Sequence, residues 1–383
     1  MTIAEYLESQ LVSYLADLRH LVAIDSGTYD KEGGNLVNDW LVARLEGAGF
    51  TIQRFPQGET ADHFLAQLSG SGTAKIMLLG HCDTVYPRGT AAQRPLKRVG
   101  DRLLGPGTCD MKAGLISGIY AIEALQKHDF DDFQQLGILC VADEEVDQRT
   151  SIPLIMESVR EYDAVLTLEA ARENGDIVTA RKGNVVICVR ARGRSAHAGV
   201  EPEKGRNAIS GLMRRLLAVD SLAQPEAGIT INIGTISGGM MPNVVPDQAE
   251  ASIDIRAFEM SELERVSAEI EAIFARPAED EISFALDRRL ASPPMPRTGA
   301  VASLEQLAVE VAQSLGFALR GVSTGGAADS AFAAQAGLPV LDGLGPIGGL
   351  DHGPDEYILK SSIVPRTALL AELIRLICGV NNE

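Results

Sequence analysis

No run of this sequence approaches the roughly 20 consecutive apolar residues that a membrane-crossing helix needs. Its start, Met1-Thr-Ile-Ala-Glu-Tyr-Leu-Glu-Ser-Gln10, lacks the basic opening and apolar centre of a secretory signal. Basic residues are scarce as well: 34 Lys and Arg stand against 52 Asp and Glu, a formal net charge of −18. Such a chain is repelled by phosphate backbones and anionic lipid, so neither nucleic acid nor a membrane is expected as a partner. The five cysteines (Cys82, Cys109, Cys140, Cys188, Cys378) are odd in number, scattered and without CxxC spacing. That argues against a disulfide framework and for reduced thiols in a cytoplasmic protein. Gly105-Pro-Gly107 has neither the third glycine of a dinucleotide fingerprint nor the Gly-Lys-Ser/Thr of a phosphate loop. Internal repeats and low-complexity tracts are absent too.

What is present is ordinary globular material, with 45% apolar and 22% charged residues over 383 positions, too long for one small core. Apolar residues recur at helical spacing over 3–24, and a second helix is expected over 35–48, ending at Gly49. Strand-like runs follow at 51–55, 63–68 and 75–80, then a helix over 116–127, a strand at 137–142, a helix near 151–159 and a strand at 164–168. This alternation predicts an α/β fold, a mostly parallel sheet flanked by helices. Near Lys182 the pattern changes to a βαββαβ order, that of a ferredoxin-like α+β unit. After Ala291-Ser-Pro-Pro-Met-Pro296 the α/β character returns. The expected organisation is therefore one domain of residues 1–181 and 295–383, interrupted by an inserted domain of residues 182–294.

The chemistry-bearing residues sit where apolar runs give way to loops, which is where an open α/β sheet places its ligand groups. Leu78-Leu-Gly-His-Cys-Asp-Thr-Val-Tyr-Pro87 offers His81 and Asp83. Residues i and i+2 of a strand face one side, so His81 can bind a metal while Asp83 orients its other ring nitrogen. Read alone, the triplet is equally a His–Asp hydrogen bond at a sheet edge. Asp110 lies in Gly105-Pro-Gly-Thr-Cys-Asp-Met-Lys-Ala-Gly114, and one carboxylate can lie between two divalent cations about 3.5–4 Å apart. Glu144 and Glu145 close an apolar strand, where one can ligate and the other face an attacking water. As an isolated pair they would read as a solvated acidic turn. Glu169 ends another apolar run, and His352 follows in a Gly-rich loop. Cys82 and Cys109 flank candidate ligands, but packed thiols are the simpler reading. Together the set predicts a two-metal hydrolase.

With these motifs in view, the chain resembles the M20 metallopeptidase family, closest to its glutamate carboxypeptidase branch. The resemblance is carried by Leu79-Gly-His-Cys-Asp-Thr-Val, Gly107-Thr-Cys-Asp-Met-Lys-Ala-Gly114, Ala142-Asp-Glu-Glu145 and Gly193-Arg-Ser-Ala-His-Ala-Gly199. Gly205-Arg-Asn-Ala208, Asn243-Val-Val-Pro246 and Thr324-Gly-Gly-Ala-Ala-Asp329, ahead of His352, add to it. It implies two Zn2+ ions per chain, other divalent metals such as Co2+ or Mn2+ being usable. Asp110 would bridge them, with His81 and Glu169 at one ion and Glu145 and His352 at the other. It further implies Glu144 as general base, Asp83 as the residue orienting His81, and a cis Asp110–Met111 peptide.

The inserted domain would be a lid and dimerisation domain, with His197 reaching the partner's active site in a homodimer. Asn243, Arg256 and the turn Thr324, Gly325, Gly326 would contact a peptide or acyl-amino-acid substrate bearing a free C-terminal carboxylate. Without the resemblance, Arg256 reads as a sheet-surface ion pair with Asp254. The alanines at 327 and 328, and the absence of a lysine in Arg172-Glu-Asn-Gly-Asp176, depart from the branch and bear on side-chain preference. The expected activity is hydrolysis of the amide bond preceding a C-terminal residue, glutamate first. An N-acyl-amino-acid deacylase or dipeptidase is the nearest alternative, and a catalytically silent peptide-binding protein one of another class.

Overall fold

The computed structural model describes residues 1–146, 150–276 and 281–380; the last three positions of the expected 295–383 segment lie outside these. The chain divides into two compact units. One comprises Met1–Thr179, Arg297–Ser323 and Ala328–Glu383, the other Ala180–Pro296 with Thr324–Ala327. Among the described residues no helix is long and apolar enough to cross a membrane.

The first unit is built on a six-stranded sheet in the order Thr51–Phe55, His63–Ser69, Gln135–Val141, Lys75–His81, Ala164–Thr167, Val340–Leu341. The first two pairings are antiparallel and the remaining three parallel. Lys75–His81, Gln135–Val141 and Ala164–Thr167 are buried almost throughout, as parallel strands covered on both faces must be. The antiparallel edge has a simple cause. The link between Thr51–Phe55 and His63–Ser69 is too short for the crossover that a parallel pair needs.

The helix Ile3–Val22 begins at a capping box. Thr2 accepts the Glu5 N–H, and the Glu5 side chain accepts that of Thr2. It buries Leu7, Tyr14, Leu18 and Leu21 in the core of this unit. Tyr14 Oη donates to the Ala113 carbonyl at 2.7 Å, at the head of the helix Ala113–Lys127. That helix packs tightly on the sheet at Gly114, where a Cβ would lie 1.8 Å from the Leu168 carbonyl oxygen. A small sheet of very short strands, Gly348–Gly349, Tyr357–Leu359, Arg102–Leu104 and Lys97–Val99, completes the unit.

The second unit is a four-stranded antiparallel sheet in the order Thr230–Gly238, Gln248–Ala257, Gly183–Arg192, Ser283–Ser292. Burial alternates along Gly183–Arg192 and Gln248–Ala257, so one face is apolar. That face packs with the helices Ala208–Asp220 and Met260–Ala275 around a separate core including Val185, Ile187, Leu212, Ile253, Val266 and Ile270. The strand order 2-3-1-4 is the ferredoxin-like arrangement. The last strand extends to Ser292, beyond the 282–286 run readable from its apolar residues, because Asp287, Arg288 and Arg289 are polar and exposed and interrupt the alternation.

Candidate metal centre

Three adjacent parallel strands of the first unit end together. His81 closes Lys75–His81 and is paired with Val141, three residues before Glu144. Leu79 is paired with Thr167, two before Glu169. The Leu168 N–H still donates to the Leu79 carbonyl at 2.9 Å, so the register persists to the strand ends.

The fourth contributor is the turn at Asp110. Gly107 takes φ +73°, a left-handed conformation that glycine adopts without steric cost. The Asp110–Met111 peptide is cis, as the resemblance implies. Lys112, buried, donates from Nζ to the Leu21 and Ile24 carbonyls at 3.0 and 2.7 Å. It thereby clamps this turn to the carboxyl end of the first helix, where a cation is favoured. His352 arrives from the loop after Gly349, with φ +61°, and its side chain is 55% exposed.

The two imidazoles meet opposite oxygens of Asp110. His81 Nε2 lies 3.0 Å from Oδ1, and His352 Nε2 lies 3.2 Å from Oδ2. Glu169 Oε1 is 3.5 Å from His81 Nε2, and Glu145 Oε2 is 3.1 Å from His352 Nε2. His81, Asp110 and Glu169 present ligand atoms all within 4.8 Å of one another. The second such group is Asp110, His352 and Asp351, a residue the sequence reading passed over although it adjoins His352. Glu145 reaches that side through His352. Asp83, buried, lies behind His81: its Oδ1 is 3.4 Å and its carbonyl oxygen 3.1 Å from Nδ1. The same carboxylate accepts the backbone N–H groups of Glu144 and Glu145 at 3.3 and 3.2 Å and the Thr28 hydroxyl at 2.7 Å.

The charge balance suits a cation. Among the described residues, Asp83, Asp110, Glu144, Glu145, Glu169 and Asp351 gather around the imidazoles of His81 and His352. Burial opposes protonation of His81, but Asp110, Asp83 and Glu169 outweigh it and hold its pKa well above the usual histidine value. Hydrogen bonds to Asp110 and Glu145 raise His352 to about 11. Burial pushes Glu145 up to about 7 against the bond from His352, and pushes Glu144 well above the usual carboxylate range. Protons are thus drawn to where a divalent cation would sit. Glu145 Oε1 is buried without a hydrogen-bond partner among the described residues, so a ligand oxygen is left to spare. Mixed imidazole and carboxylate donors suit zinc and related divalent ions. By donor type, spacing and charge the residues fit a pair of metal ions.

The remaining candidates belong to the second unit. His197 is exposed, and its Nδ1 accepts the Gly199 N–H at 3.2 Å, so Nε2 carries the proton of the neutral ring. Asn243 is also exposed, and its carbonyl accepts the Ala198 N–H at 3.0 Å. Arg256 pairs with Asp254, Nε to Oδ1 at 2.9 Å and Nη2 to Oδ2 at 3.3 Å, while Nη1 donates to the Gly325 carbonyl at 2.7 Å. The ion pair that residue spacing alone predicts is therefore formed. The turn is further held by Lys182 N–H to the Thr324 carbonyl at 3.0 Å and Arg181 Nη1 to the Gly326 carbonyl at 3.0 Å.

The sequence profile described as peptidase family M20/M25/M40 matches residues 77–376. Carboxypeptidase G2 of Pseudomonas sp. (strain RS-16) is 29% identical over 369 residues, covering 93% of this chain and 87% of that protein. Acetylornithine deacetylase of Edwardsiella ictaluri (strain 93-146) is 27% identical over 400 residues, covering 97% of this chain and all (100%) of that protein. The Bacillus subtilis YXEP protein, a dinuclear metal-binding peptidase, shares the fold at TM-score 0.75 and 14% identity, covering 97% of this chain and 99% of that one. A family match running from the strand that carries His81 to the last helix means that the chain belongs to peptidase family M20/M25/M40 and is an enzyme of this metallopeptidase and amidohydrolase group.

Proposed function

We propose that this enzyme uses two zinc ions to hydrolyse the amide bond preceding a C-terminal amino acid, glutamate before others. The observation that carries the reading is the Asp110 carboxylate, with one oxygen toward His81 and the other toward His352, Glu169 and Glu145 standing at the two sides. His81, Asp110 and Glu169 would hold one ion; Asp110, His352 and Glu145 would hold the other. When bound, such ions polarise the scissile carbonyl and make water acidic enough to attack near neutral pH.

The chain's own groups do the rest. Glu144 accepts a proton from the attacking water and returns it to the departing amine nitrogen. Asp83 holds the ring of His81 by Nδ1 and fixes the backbone of both glutamates. The Nε2–H of His197 is the donor for the oxyanion, delivered to the partner's site in a homodimer assembled through the second unit. Asn243, Arg256 and the Thr324–Gly325–Gly326 turn receive the substrate's C-terminal end. In support of a reducing compartment, all five cysteines are unpaired.

A second reading, N-acyl-amino-acid deacylation, is favoured by the match to acetylornithine deacetylase over all of that protein's length. One experiment separates the two. The zinc-loaded enzyme is assayed on acyl-glutamates, N-acetylornithine, free dipeptides and C-terminal amides. The highest kcat/KM is expected for an acyl-glutamate with a free carboxylate. Preference for N-acetylornithine would select the deacylase, and no turnover of any would overturn both readings.

A further inference from the structure

The segment His352-Gly-Pro-Asp-Glu356 carries a second acidic group, Glu356, four residues beyond the proposed ligand. Its position is unusual for a carboxylate: it is 0% exposed, and its recorded hydrogen-bond donors are three backbone N–H groups and a phenol. Oε1 accepts the N–H groups of Cys109 and Asp110 at 2.7 and 3.1 Å. Oε2 accepts that of Gly107 at 3.0 Å and the hydroxyl of Tyr86 at 2.7 Å. All three backbone donors thus belong to the turn that presents Asp110.

Tyr86 links this cradle to the other ligand. Its Oη also lies 2.9 Å from the carbonyl of Gly353, the residue after His352. Arg94 supports both ends of the link, donating from Nη2 to the same Gly353 carbonyl at 2.9 Å and lying over the Tyr86 ring at 4.8 Å. The Asp110 turn, which runs into the helical turn Thr108–Lys112, and the loop 350–353 are joined through one buried carboxylate and one phenol. A bridging ligand is useful only if its two oxygens stay aimed at both neighbours, so the backbone that presents it has to be held rigidly.

We propose that Glu356 is a positioning residue for the metal pair, holding the Asp110 turn by its backbone and, through Tyr86, tying it to the His352 loop. This rests on the reading that Asp110 and His352 hold cations, and not on the choice of substrate. A glutamine at 356 keeps one acceptor oxygen. It would turn that oxygen to Cys109 and Asp110 and leave its amide facing the Gly107 N–H, which then has no acceptor. Alanine removes every acceptor at once.

The test is zinc binding by the full-length chain, stripped with a chelator and titrated with Zn2+ alone, alongside the melting temperature of the metal-free protein. Wild type should take up two ions. Glu356→Gln should weaken at least one step about tenfold and Glu356→Ala about a hundredfold, the range for residues that orient ligands. Tyr86→Phe, which keeps the three backbone bonds, should weaken the same step less, without lowering the metal-free melting temperature. Wild-type zinc affinity in both Glu356 variants, with only a lowered melting temperature, would show a purely structural carboxylate and overturn the proposal. Should Glu356→Ala fail to fold, Glu356→Gln and Tyr86→Phe decide by the same criterion. An effect at Glu356 with none at Tyr86 would overturn the tie to the His352 loop. Failure of wild type to bind zinc would overturn the ligand assignment and this inference together.

Discussion

Asp83 holds Glu145 by the backbone: its Oδ2 accepts the Glu145 N–H at 3.2 Å. The other oxygen accepts the Glu144 N–H and faces Nδ1 of His81 at 3.4 Å. One residue therefore faces the ring of a proposed ligand, its carbonyl oxygen nearest Nδ1 at 3.1 Å, and its carboxylate fixes the backbone of both glutamates. Asp83→Asn replaces one acceptor oxygen by an amide group that would face an N–H donor. Zinc affinity should fall about 10–100-fold, and turnover with it. Titration of the stripped protein checks the first effect, and unchanged affinity would remove Asp83 from the centre.

Glu144 and Glu145 are neighbours with different expected fates. Glu144→Gln should bind two metal ions like wild type yet lose about 10²–10⁴ in kcat. Glu145→Gln should lose affinity for one ion. Metal content per chain, measured beside kcat, tells the two effects apart. Near-normal turnover of metal-loaded Glu144→Gln would exclude it as the base.

Proton competition should be visible in metal uptake. In the metal-free protein His352 is raised to about 11 and Glu145 to about 7, so at neutral pH His352 is protonated and Glu145 partly so. Ligation needs both groups deprotonated. Binding therefore releases protons, and affinity rises with pH from below 7 toward 11. Calorimetry in buffers of different ionisation enthalpy should report more than one proton released per pair of ions at pH 7. None released would contradict the ligand set.

Arg256 already shares its charge with Asp254, which tempers what its removal can cost. A charge-assisted hydrogen bond to the substrate's carboxylate is worth about 1.5–3 kcal/mol, so Arg256→Ala should lower kcat/KM for an acyl-glutamate about ten- to a hundredfold. The corresponding C-terminal amide should be affected much less, and zinc content not at all. Equal losses for acid and amide would assign Arg256 to the second unit's fold.

Gly114 leaves no room for a side chain against Leu168. Gly114→Ala should destabilise the metal-free protein by about 1–3 kcal/mol, as overpacking does, and displace the adjacent Glu169. Thermal unfolding with and without zinc checks both parts: the variant should also gain less from zinc than wild type.

Much of this was legible in the chain because strands announce their ends. Apolar runs at 75–80, 137–142 and 164–168 stop abruptly, and His81, Glu144, Glu145 and Glu169 stand where they stop. Asp351 and Glu356 gave no such signal. They lie in a loop between strands of two and three residues, Gly348–Gly349 and Tyr357–Leu359, too short for periodicity to register. The value of Glu356 lies in backbone N–H groups from 246 to 249 positions away, which no local pattern encodes. The Arg256–Asp254 pair, by contrast, was plain from alternation along one strand.

The two sides of the centre differ in how much chain they enclose. His81 and Asp110 are 29 positions apart, whereas Asp110 and His352 are separated by 242, with the whole second unit threaded between them. A cation held between His81 and Asp110 fastens a local segment. One held between Asp110 and His352 acts as a cross-link closing a very long loop, and the entropy of closing a loop grows with its length. During synthesis the first pair of ligands is available early, while the second waits until the chain has passed through the inserted unit and returned. A second cation at the proposed site would thus lock completed folding, and its removal should loosen the C-terminal return before it disturbs the strands that carry His81.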